Sequence, residues 1–333
     1  MAEIKTGVAL SLKDGFSQNI KKAAGAASGF ADKTLGAINK VDKALSGTAA
    51  KLAAFGVTLS VGAATKTIIG FDHKMTRLGL TANASADDVM RVKQAIYDVA
   101  QSSDVKLDPA NILAGLEVVM TKTGDLKYAE DNIRNIGIAI QASGESGDAI
   151  GSVFSEFQKF GYTATQISAL MDDMVAQSDQ GAFTFGEFAK NAPAVFSAYS
   201  AIGTSPENIK KANAAMQILV AGTKSPEIAV TALNSAMNEL ADPEKQKKLR
   251  KLGISVRDGS ENFRDFNDIM FDIVAKADKI GNADFFGTIF GSVSMQAIRS
   301  YMTQGERMFE NLTELGDTSG LLQNKAATMS KTL

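Results

Sequence analysis

The sequence predicts an all-α protein: a long N-terminal coiled-coil helix followed by a globular multi-helix domain with one small β-hairpin. Three observations carry this expectation. Apolar and small residues recur in steps of four and three from Ile20 to Leu59. Four of the 5 prolines stand directly behind a capping side chain. The composition, with 29 Gly, 13 Met, no Trp and only 7% aromatics, suits helices packed through small residues rather than a β-sandwich.

The totals set the limits. A chain of 333 residues with 45% hydrophobic content is long enough for a sizeable core and for two domains. Its 35 basic and 37 acidic residues are well mixed and leave a net charge of −2, which argues against a surface dedicated to nucleic acid. Cysteine is absent, so neither a disulfide nor a thiolate metal site is available. The opening MAEIKTGVALSLKDG lacks the basic start and long apolar run of a secretion signal, and a cytoplasmic product is expected. The most apolar stretch, Leu52–Thr65, has 14 residues between Lys51 and Lys66, short of the roughly 20 that span a membrane.

In chain order, residues 1–15 form an N-terminal segment with a short strand expected at 4–12 and a turn at Lys13-Asp14-Gly15. Residues 16–70 are expected as one long helix. Its seam is Ile20, Ala24, Ala27, Ala31, Thr34, Ile38, Val41, Leu45, Thr48, Leu52, Phe55 and Leu59, a heptad pattern without a slip. Gly25, Gly29, Gly36, Gly47 and Gly56 lie off the seam, where each weakens the isolated helix by about 1 kcal/mol. Such a helix needs a partner. The partner is either another segment of the same chain or, in a homo-oligomeric parallel coiled coil, further copies of it; a trimer is the first expectation. A membrane dimerisation face at Gly25–Gly29 is disfavoured by Lys21, Lys22, Asp32 and Lys33 around it.

Residues 71–315 read as a globular helical domain. Ser85 caps a helix with Asp87 and Asp88 in its first turn and a stripe of Val89, Val92, Ile96 and Val99; the two acids complement the helix dipole rather than form a catalytic pair. Asp108-Pro109, Ser205-Pro206, Ser225-Pro226 and Asp242-Pro243 mark four helix starts. Thr184 and Glu187 fit a capping box, and Pro193 predicts a kink or break in the helix that follows. Further helices are expected near 125–143, 147–160, 165–178, 206–221 and 226–240. Their stripes, such as Ile150, Val153, Phe154 and Phe157, have the width of buried faces. Past 252, a short helix is expected at 284–290 and a longer one at 294–315, and residues 316–333 read as a polar tail or the start of a following segment.

The stretch Leu252–Ile273 turns a corner. A Lys- and Arg-rich helix meets Gly253, Ile254-Ser255-Val256 alternates in the strand period, Asp258-Gly259 is a turn dipeptide, and Phe263 restarts an apolar pattern that runs into a new helix. The run Leu252, Gly253, Ile254, Val256, Asp258, Gly259, Phe263 and Ile269 resembles a signature of the phage tail tape-measure protein family, in the branch related to lactococcal-type siphophage tape measures. The resemblance extends upstream through Phe71–Ser85, the Asp108-Pro109 start and Ser205–Gly222, in the family's order, and covers roughly residues 70–300. It implies a structural protein of a tailed phage or phage-derived particle that lies in the tail-tube lumen, sets tail length during assembly and leaves at DNA ejection. Implied partners are the tail-tube protein, tail assembly chaperones and baseplate or tail-tip proteins, with host membrane contact only at ejection and no sequence-specific nucleic acid. The chain resembles the N-terminal part of such a protein, or an unusually short member. The competing class is a cytoplasmic helical coiled-coil adaptor unrelated to phage.

Enzymatic constellations are not signalled. The single histidine, His73, reads as a surface or boundary residue at a helix end, and one imidazole supports no His-rich zinc site. No G-x-S-x-G, phosphate-loop or G-x-G-x-x-G pattern occurs; Gly144, Gly147 and Gly151 are spaced as a helix end, a loop and a packing site. The expectation is a non-enzyme without cofactor or metal.

Overall fold

The computed structural model describes residues 61–331, and every regular element among them is helical. The chain divides into two compact units, 1–69 and 70–333. The heptad seam Ile20–Leu59 and the strand expected at 4–12 lie outside the described residues.

The first described helix, α1 (Val61–Thr81), runs through Gly70 without a break, and His73 sits exposed along its length rather than at its end. Helix α2 (Ala86–Ala100) starts on a complete capping box, in which the Asp88 amide donates to Ser85 Oγ at 3.1 Å and the Ser85 amide donates back to the Asp88 carboxylate at 3.2 Å. The Ser85 hydroxyl, donating to the same carboxylate at 2.7 Å, holds the Asp88 carboxyl below its ordinary range, with the Ser85 amide and Arg91 adding to the effect.

Each of the four proline pairs opens a helix: α3 (Pro109–Thr123) behind Asp108, α9 (Pro206–Thr223) behind Ser205, α10 (Pro226–Ala241) behind Ser225 and α11 (Pro243–Lys251) behind Asp242. In every case the capping oxygen accepts an amide of the first turn, as Asp242 does from Glu244 at 2.8 Å and Lys245 at 3.2 Å. Between α3 and α9 lie α4 (Leu126–Asp131), α5 (Ile133–Ser143), α6 (Gly147–Lys159), α7 (Ala164–Gln180) and α8 (Phe185–Tyr199). Beyond α11 come α12 (Phe266–Ile280), a 3-10 turn (Ala283–Thr288), α13 (Ser292–Thr313) and α14 (Leu321–Ser330).

Further local expectations are refined by the structure. The helix expected over 125–143 is two, because Asn132 Nδ2 donates to the Tyr128 carbonyl at 2.9 Å and so takes the acceptor its own amide would use in a continuous helix. Pro193 neither ends nor interrupts α8; it lies on the exposed face of that helix. The small β-hairpin expected at 254–264 is reduced to one isolated antiparallel bridge, Arg257 to Phe263, and among the described residues there is no strand. Residues 321–330, within the stretch read as a polar tail or the start of a following segment, form helix α14 with Leu322 and Ala326 buried.

Packing builds outward from α9, where every residue from Ala212 to Val220 is buried. A helix apolar on all sides belongs at the centre of a bundle. Helices α7, α8, α10 and α13 surround it. Its buried amides are spent on neighbours: Gln217 exchanges two bonds with the backbone of Phe183 at 2.7 and 2.6 Å, and Asn213 donates to Gln177, which in turn donates to the Leu312 carbonyl at 2.8 Å. A second pair, α3 against α6, packs on small residues. A Cβ on Gly147 would stand 2.0 Å from the Asn111 carbonyl oxygen, and one on Gly151 would stand 2.3 Å from that of Gly115. The helix backbones touch there.

Helix α14 returns to α5 and α7. Asp172 on α7 accepts from the amides of Gly320 and Leu322, both at 2.9 Å, Asp173 accepts from Thr318 at 2.8 Å, and Gln323 donates to Asp104 at 2.8 Å. These bonds replace the local capping signal that the sequence before Leu321 lacks.

Candidate interaction surface

Among the described residues no group of three or more His, Cys, Asp and Glu side chains comes together as metal ligands. The most perturbed titratable groups lie inside the bundle. Burial raises the hydroxyls of Tyr199 and Tyr301 well above the usual tyrosine range. They meet at Asn267, whose Oδ1 accepts from Tyr301 at 2.5 Å and whose Nδ2 donates to Tyr199 at 3.3 Å and to Asp265 Oδ1 at 2.9 Å. The other Asp265 oxygen is buried without a hydrogen-bond partner, and burial raises this carboxyl above its ordinary range. The cluster joins α8, α12 and α13 and faces inward, so its chemistry is that of packing.

The signature stretch resolves into anchors and a turn. Leu252 ends α11, and Gly253 follows at φ +81°, a left-handed conformation that glycine adopts without a steric penalty. Ile254, Val256, Phe263 and Ile269 are all buried in the core. Asp258 is exposed, accepts from the amides of Ser260 at 2.8 Å and Asn262 at 2.9 Å, and those bonds lower its carboxyl. The left-handed residue of the turn is Glu261, at φ +63°, and Gly259 is not one of the positive-φ glycines. Arg264 then ties the turn down by donating to the Ser255 carbonyl at 2.6 Å and to Asp272 at 2.8 Å. Six of the eight signature residues therefore end a helix or anchor its successor.

Directly before the stretch, α11 presents its basic side chains to solvent. Only Gln246 and Leu249 of that helix are buried, and Gln246 donates to the Leu240 carbonyl at 2.8 Å. Residues 243–251 carry five basic side chains against one acidic, a local charge of +4 in a chain of net −2. Lys245 pairs with Glu239 of α10 at 2.9 Å, and the Glu239 carboxylate also accepts the amide of Gly291, the residue before α13, at 3.0 Å, so one carboxylate joins α11 to the start of α13. Among the described residues, the exposed Lys247, Lys248, Arg250 and Lys251 have no ion-pair partner. Between α11 and the 3-10 turn runs a shallow groove lined by Lys248, Lys251, Leu252, Phe285, Thr288 and Ile289. The cations and Leu252 stand together in the sequence as the end of a basic helix, whereas Phe285 and Ile289 lie more than thirty residues downstream and no local pattern joins the two.

Comparison with curated proteins and with solved structures returns no match. The profile of one protein family does match, over residues 100–291, from the end of α2 through the 3-10 turn to the residue before α13, and it includes every residue that lines the groove. That span is more than half of the 333 residues and sets aside an adaptor unrelated to phage. This chain belongs to the family of phage-related minor tail proteins.

Proposed function

We propose that this minor tail protein is a tail tape measure, a structural component that lies in the tail-tube lumen and sets tail length. The observation that carries the reading is the family match over 100–291, which falls on the same stretch as the signature Leu252–Ile269. On this reading the compact body of 70–333 is a folded station along the tape rather than the ruler itself, and the heptad segment Ile20–Leu59 is an oligomer seam, trimeric by preference. Partners are the tube protein, assembly chaperones and the baseplate or tip.

The test is tail length. Duplicating residues 20–59 in frame adds 40 residues, and at 1.5 Å per helical residue the tail lengthens by up to about 60 Å. Tails of unchanged length in electron micrographs, from particles that incorporate the longer chain, overturn the reading. Density for the chain outside the tube lumen overturns the placement separately.

A further inference from the structure

We infer that the groove between α11 and the 3-10 turn is a docking site for an acidic amphipathic segment of a protein partner. Carboxylates of that segment meet Lys248 and Lys251, and an apolar side chain rests on Leu252, Phe285 and Ile289. The inference concerns the folded body and stands whether or not the chain sets tail length.

The first argument is charge. Thirteen ion pairs run through the described residues, yet Lys247, Lys248, Arg250 and Lys251 on one short helix have none. Cations in a last helical turn complement the helix dipole, which accounts for their tolerance there. It does not account for the apolar floor they flank.

The second argument is that the floor is built. Phe285 is only half-buried, and its ring stands edge-on to the fully buried Phe286 at 5.6 Å between centroids. The turn below it is fixed at its start by Asn282, which accepts the Asp284 amide at 3.0 Å, and at its end by the Ile289 amide donating to the Phe286 carbonyl at 2.9 Å. A rigid aromatic beside a lysine pair offers one apolar anchor and two charge contacts, the pattern of a helix-in-groove site with electrostatic steering.

Nucleic acid fits less well. Phosphates would gain from the four cations but would lay a strongly hydrated backbone over Leu252 and Phe285, and four contacts release too few counterions to hold duplex at moderate salt.

The test is fluorescence anisotropy on the full chain with three labelled probes: a synthetic amphipathic Glu/Leu peptide, a Glu/Ser peptide of equal charge, and duplex DNA. The Glu/Leu peptide is expected to bind, and the Glu/Ser peptide to bind about tenfold more weakly or not at all. Lys248→Glu with Lys251→Glu, and separately Lys248→Gln with Lys251→Gln, should weaken the Glu/Leu complex by about tenfold or more, the reversal more than the neutralisation. A control with Arg77→Glu and Lys122→Glu, the same charge change at other exposed positions, should leave it within about twofold. Equal affinity for the two peptides, tighter binding of duplex than of the Glu/Leu peptide, no binding of that peptide, or equal losses in pair and control each overturn the inference. The two neutral-pair and reversed-pair variants replace exposed, unpaired side chains, so an unchanged thermal unfolding curve accompanies any of these outcomes.

Discussion

Asp265 is the residue whose environment is least comfortable. One oxygen caps α12 by accepting the Asn267 amide at 2.9 Å, and the other is buried with no partner. Because burial raises this carboxyl, the fold favours its neutral form; the favourable contribution is full below the unfolded-state value of about 3.9 and is lost as pH rises through the folded one. Asp265→Asn keeps a capping oxygen and removes the charge, so its urea midpoint should exceed the native protein's at pH 7 and the difference should close toward pH 4. A variant less stable than the native protein at pH 7 contradicts this account. Gly147 is the opposite case, a residue whose value is the absence of a side chain. Gly147→Ala gains up to about 1 kcal/mol of helix propensity but drives a methyl into the Asn111 carbonyl, and overpacking of this kind costs about 1–3 kcal/mol. The net expectation is a lower unfolding midpoint, measured with Gly161→Ala as a comparison whose cost comes from its φ of +76° alone.

At the scale of elements, helix starts were legible because their cause is local. A proline behind Asp108, Ser205, Ser225 or Asp242 sets φ and places a capping oxygen within three residues of the amide it accepts, so sequence contains the whole interaction. Helix α14 was illegible for the complementary reason. Its start is capped by Asp172, about 150 positions earlier in the chain, and no capping residue stands beside it. Asp172→Ala should remove both bonds and cost about 1–2 kcal/mol, localised to this element. Hydrogen exchange checks it: amides of residues 321–330 lose protection while those of α9 keep theirs. Uniform loss across both would mean that α14 is integral to the cooperative core. The small hairpin shrinks to its turn: Arg264 donates to the Val256 carbonyl and Asp258 to that of Asn262, both at 2.9 Å, around the single Arg257–Phe263 bridge, while the side chains of Ile254 and Val256 are buried in the core.

At the scale of the whole molecule, one family profile covers the span from α3 to the groove, while the seam Ile20–Leu59 was read from periodicity alone. The candidate surface was half legible: the basic run of α11 and Leu252 stand together in the sequence, whereas Phe285 and Ile289 come from more than thirty residues downstream and reach it only through tertiary packing. The seam carries its own prediction. If it joins three copies, sedimentation equilibrium of the full chain gives a trimer, and Ile38→Asp with Leu45→Asp gives a monomer while the helical signal of the body persists. The return of α14 to α5 and α7 has a mechanical consequence. When the C-terminal end of residues 70–333 is drawn outward, force reaches the Asp172 bonds before it reaches any central helix. Residues 316–331 then peel first and pay out roughly 50 Å of slack at about 3.3 Å per residue, so the bundle meets a sudden tug through a fuse that parts early.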